Sequence, residues 1–241
     1  MHASGGPLSH AARNLRCLLR APASWACALA ALGLHGLLVT RGGSVAPAWW
    51  LENFGLSRGE FLTGKFWQVL TYGLLHGSWW HAVFNALFVL LVGSRIEHMA
   101  GPAAVLRTAA LGILGGGLSH LLLGAGLLVG LSGGCFALLL LLTTLSPQSR
   151  MLPIPVSGKS LGLGILLSSL ILTLMNPALG LPWISAGGRA LDAHGMGSWF
   201  QIGHACHLGG GLAGWICGRW ILRPRVTLDR LSRDRARREE R

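Results

Sequence analysis

From residue 61 to residue 191 the chain carries a single acidic residue, Glu97. No water-soluble domain can be built on such a stretch, because soluble domains average about 25% charged residues. The same region is divided into long apolar runs, so its solvent has to be lipid. Composition agrees, with 51% of the 241 residues hydrophobic, 12% charged and a mean hydropathy of +0.53.

Six runs approach the ~20 residues that a helix needs to cross a bilayer. They cover residues 23–40, 79–94, 104–124, 131–145, 160–176 and 201–221. The sequence thus predicts an all-α membrane protein, a bundle of six transmembrane helices. Its second and fourth runs are short, which suits helices that start below the membrane surface inside protein. With the N-terminus inside, Arg13, Arg16, Arg20, Arg95, Arg107, Arg150, Lys159 and every arginine from Arg219 onward lie on the inner side. Only Arg41, Arg58, Lys65 and Arg189 fall outside, so the positive-inside rule assigns both termini to the cytoplasm. Trp49, Trp50, Trp67, Trp79, Trp80, Trp183 and Trp199 then form an outer interfacial belt, with Trp25 and Trp220 at the inner one. The net charge of +12 becomes a label of topology, and no nucleic-acid partner is expected.

The predicted organisation is a cytoplasmic segment 1–22, a six-helix domain 23–222 and a charged cytoplasmic tail 223–241. Residues 44–46 resemble a signal-processing site. The apolar region before them is about 18 residues, longer than the 7–15 of a signal peptide, so the first helix is read as retained. Five cysteines without CxxC spacing suggest packing residues, neither disulfides nor a zinc site. No metal and no cofactor are expected.

Polar groups inside a membrane are expensive and are the first candidates for function. His81 and Asn85 open the second run, Gly130, Ser132 and Gly133 the fourth, and His204 and His207 the sixth. In the predicted topology all three groups sit in the outer half of the membrane. His81 and Asn85 are four apart and share a helix face. Ser132 starts its helix, where unpaired N–H groups favour an anion. A serine hydroxyl needs a base to become a nucleophile, and histidines supply the only bases at that depth. His207 is followed by Gly210, Gly214 and Gly218, a flat face that either brings the fourth and sixth helices together or marks a dimer contact; the oligomeric state is left open. No acid lies at that depth, which points to a Ser132–His207 dyad with His81, Asn85 and the Ser132 N–H as oxyanion donors. His35 and His120 are read as satisfied by neighbours.

The chain resembles the rhomboid family of intramembrane serine proteases. The resemblance rests on the HxxxN of His81 and Asn85, the GxSG of residues 130–133, and the HxxGxxxG of His207, Gly210 and Gly214, with Trp67, His76-Gly77-Ser78, Gly93, Glu97 and Gly101 in support. It implies Ser132 as nucleophile, His207 as general base, His81 and Asn85 as oxyanion contributors, and Phe136 as an aromatic stacked on the catalytic imidazole. It further implies a partly membrane-embedded first loop at 41–78 and a mobile cap at 177–200 over the active site. Gln68, Cys206 and Phe136 depart from the residues usual in the family. The expected partners are the bilayer and transmembrane protein substrates, and the compact core suits a bacterial plasma membrane. Rival readings are an inactive rhomboid-like binding module and a small channel or transporter.

Overall fold

The computed structural model describes residues 17–40, 46–150, 155–223 and 228–239. Most of the predicted segment 1–22 and the processing-like residues 44 and 45 lie outside them. Among the described residues the fold is all-helical, with two isolated bridges and no strand. The bundle is α1 (Pro22–Val39), α2 (Trp79–Ala100), α3 (Pro102–Leu123), α4 (Ser132–Leu145), α5 (Gly158–Met175) and α6 (His204–Ile221), followed by α7 (Leu228–Glu239).

Four of these helices, α1, α2, α3 and α5, are long and apolar enough to cross a membrane. The chain is an integral membrane protein. With 14 residues α4 extends only about 21 Å at 1.5 Å per residue, less than the ~30 Å of a hydrocarbon core. In α6, 18 residues long, the histidines and glycines dilute the hydropathy. These two helices pack extensively on each other and on α3 at the centre, where small side chains count for more than hydrophobicity. The bundle's outer surface is the apolar one: Leu29, Leu37, Phe84, Leu91, Leu111, Leu122, Ile171 and Ile216 are exposed.

The second helix is longer than the apolar run predicts. It passes through a π-helical turn at Val89–Gly93 and continues to Ala100, six residues beyond the expected end. The reason is Glu97, which is buried and has a partner of unusual kind. Its carboxylate accepts from Ala23 N and Ser24 N, both at 3.0 Å, and from Ser24 Oγ at 2.9 Å. The residue before α1, Ala21, provides no side-chain cap, so an acid 73 residues downstream in α2 satisfies the orphan N–H groups of its first turn.

On the opposite side, the segment between α1 and α2 is fastened by side chains. Trp67 Nε1 donates to Asn53 O at 2.8 Å, Gln68 Nε2 to Glu52 O at 2.9 Å, and Thr71 Oγ1 to Phe54 O at 2.8 Å. Gln68 is fully buried and also accepts from Ser57 N, so here a neutral amide staples the loop. Arg58 donates to Leu121 O and Leu122 O, closing the C-terminal carbonyls of α3 with a cation. Leu56 and Leu128 exchange backbone hydrogen bonds of 2.9 and 2.8 Å, tying this loop to the strip leading into α4.

Replacing Glu97 with Ala strands two N–H groups and one hydroxyl in the interior. The expected cost is about 2 kcal/mol, read as a lowered unfolding midpoint in detergent. Glu97→Gln, which keeps one acceptor, falls between wild type and Glu97→Ala; equal midpoints for all three would exclude the cap.

Candidate active site

The turn that enters α4 is built from three directions. Gly130 N donates to Tyr72 O at 2.9 Å, and Gly130 has φ +119°, a conformation L side chains rarely adopt. A Cβ there would also lie 2.5 Å from His81 Cε1 and 3.5 Å from Asn85 Nδ2. The first glycine of the GxSG sequence is therefore required twice, by backbone conformation and by the imidazole lying against it. One turn further on, the Cys135 thiol contacts Asn85 Oδ1 at 3.6 Å, joining α4 to α2. Ser78 caps α2 by accepting from His81 N at 3.2 Å, which fixes the helix start that carries His81.

On its other flank α4 meets α6 backbone to backbone. A Cβ added at Gly210 would land on the Gly133 carbonyl, and one at Gly214 on the Ala137 carbonyl. At Gly218 it would press on Thr144 Cβ at 2.7 Å. The glycine row of α6 thus lies inside the bundle against α4. The contact aligns the turn of Ser132 with the turn of His207, and Phe136 stacks on the His207 ring with centroids 3.9 Å apart and planes 4° from parallel. Ser132, Phe136 and His207 are all half-buried.

A family model of the rhomboid domain matches residues 63–224, about two thirds of the chain. The chain belongs to the rhomboid family. Rhomboid-like protein 16, chloroplastic, from Arabidopsis thaliana is 35% identical over 68 residues, covering 28% of this chain. The match spans 21% of that relative's length.

In this rhomboid the matched region holds every site residue derived from the sequence. Around the α4 turn the structure assembles His81, Asn85, Gly130, Ser132, Gly133, Phe136, Gly210 and His207. His204 lies beside them, 6.0 Å from His207 between ring centroids, with its Nε2 donating to Trp199 O at 2.9 Å. The cap region is helical, with α-helix Ile184–Leu191 flanked by short 3-10 and π turns.

One of the histidines differs from expectation: His35 is buried and neither ring nitrogen has a hydrogen-bond partner among the described residues, whereas His120 donates through Nε2 to Gly126 O at 3.2 Å. His35 instead packs edge-on against Trp79 and His76, which in turn packs edge-on against His81 at 5.2 Å. Burial, then the neighbouring His81 and His35, push His76 down to about 3, so it is a neutral packing partner behind His81. Tyr72, the chain's single tyrosine, is a further supporting residue missed from sequence: its hydroxyl donates to Ile113 O at 2.7 Å and touches Cys206 Sγ at 3.4 Å. That contact gives the Cys206 thiol a side-chain partner in the first loop.

Gly210→Ala is expected to push α6 off α4 and to cost about 1–3 kcal/mol of stability. Gly164→Ala, where a Cβ meets nothing within 4 Å, serves as the control and shifts the unfolding midpoint little. Matching midpoints for the two variants in a detergent thermal melt would contradict the close backbone contact.

Proposed function

We propose that this rhomboid is an intramembrane serine endopeptidase working through a Ser132–His207 dyad. The observation that carries the reading is the α4–α6 junction: Phe136, one turn after Ser132, lies flat on the His207 ring, while Gly133 and Gly210 bring the two helix backbones together.

In the proposed reaction His207 takes the proton from Ser132 Oγ as that oxygen attacks a peptide carbonyl carbon. His81, Asn85 and the Ser132 N–H hold the resulting oxyanion. Asn85 supports that role because it is buried and its Nδ2 has no hydrogen-bond partner among the described residues. When the carbon–nitrogen bond breaks, His207 passes the proton to the leaving amine. Water, deprotonated by His207, then hydrolyses the acyl-serine ester. Packing by Phe136 orients the imidazole in place of a carboxylate.

The proposed substrate is the transmembrane segment of another membrane protein. A helix hides its carbonyls in hydrogen bonds, so the cut segment must unwind locally, and helix-weakening residues are expected at the scissile bond. In this reading all six bundle helices cross the membrane, with α4 shielded by the others, and both termini are cytoplasmic. We place it in a bacterial plasma membrane on the compactness of the bundle, although the relative named above is chloroplastic.

Wild type should be labelled by a fluorophosphonate probe and cleave a transmembrane reporter in liposomes. Ser132→Ala and His207→Ala should lose labelling and lower cleavage by about 10³-fold or more. A wild type that does neither, indistinguishable from Ser132→Ala, leaves the family membership intact and defeats the protease reading.

A further inference from the structure

Between α4, α5 and α6, at the end of the bundle away from Ser132, lies a cavity of about 420 Å³ that the proposed reaction does not use. Its size is that of an ordinary small-ligand pocket. The lining is polarised along the bundle. Lys159, in the first turn of α5, and Arg219, in the last turn of α6, both line it. Leu163 and Leu166 follow Lys159 by four and seven residues and Trp215 precedes Arg219 by four, so each helix presents one face with a cation at the end and apolar surface behind it. Leu140 of α4 closes the back.

No acid lines the cavity, and among the described residues the side chains of Lys159 and Arg219 have no ion-pair or hydrogen-bond partner. Two cations lining one cavity repel each other, and an anion between them relieves that repulsion. Behind them Leu163 and Trp215 are exposed, 56% and 46%, and α5 is the least buried of the four long apolar helices. A groove with paired positive charge at one end and an apolar body matches one molecule, an anionic amphiphile whose phosphate sits at the charged end. The negative surface of a cytoplasmic leaflet supplies such molecules where the topology proposed above puts Lys159 and Arg219.

The geometry points to a site for one anionic glycerophospholipid in this groove, its phosphate held by Lys159 and Arg219 and an acyl chain lying along Leu163, Leu166 and Trp215. The site rests on the membrane-spanning reading of the helices and is independent of the protease reading. Lipid packed there fills the space that α5 leaves against α4 and α6.

The test is native mass spectrometry of the full chain in detergent, carried out on Ser132→Ala protein so that proteolytic activity plays no part. Phosphatidylglycerol, phosphatidylcholine and inorganic phosphate are titrated separately. The expected result is one retained phosphatidylglycerol per chain, with phosphatidylcholine and phosphate held far more weakly. K159Q/R219Q should weaken phosphatidylglycerol by about 30-fold, the equivalent of about 1 kcal/mol for each of two cations. Leu163→Trp, filling the groove from an exposed position, should weaken it with both cations in place. Equal retention of the two lipids, undiminished phosphatidylglycerol binding by K159Q/R219Q, phosphate binding as tightly as the lipid, or occupation of the groove by a second copy would each overturn the proposal.

Discussion

The structure depends on how closely three helix backbones approach at its centre. Along α3, α4 and α6 small residues meet on each pairwise edge: Gly112 against Ala137 and Gly133, Gly115 against Gly209, and Gly210 and Gly214 against Gly133 and Ala137. In lipid no hydrophobic gain rewards the association of apolar surfaces, so cohesion comes from dispersion between tightly apposed atoms and from satisfied polar groups. Larger side chains anywhere on these edges would separate α4 from α6 by more than the junction of Ser132, Phe136 and His207 tolerates. The two helices least able to cross a membrane on composition alone are the two that carry the candidate dyad residues.

Polar satisfaction is the second source of cohesion, and it is handled locally. Arg58 neutralises the carbonyl end of α3, Ser57, Ser78 and Ser157 cap short or long helices by accepting N–H groups, and Gln68 joins two segments of the first loop through its amide. The same loop holds Gly130 through Tyr72 and Leu128 through Leu56, so its order is passed to the turn on which Ser132 sits.

Much of this was legible in the sequence because it rests on spacing. Apolar runs mark the helices, and the i, i+4, i+8 glycines of α6 mark the face that meets α4. Other features depend on contacts between distant segments, which spacing does not encode. Arg95, Glu97 and His98 resemble the polar end of a span, yet the helix runs on to Ala100 because Glu97 turns back into protein. His35, expected to be satisfied by a neighbour, is held by aromatic edges instead of hydrogen bonds. Gly130 reads as one letter of a motif, and only the backbone discloses that its φ and the His81 ring both demand it. Tyr72 sits between Thr71 and Gly73 with no periodic signal; being the chain's one tyrosine was its sole mark.

The position of Glu97 has a consequence for the order of assembly. Synthesis delivers α1 more than seventy residues before the carboxylate that closes its first turn. Until α2 has threaded through to Ala100, the leading N–H groups of α1 must be served by water or lipid headgroups. The first two spans accordingly mature as a pair, and the one acid of the acid-poor region acts as a latch that records the arrival of the second.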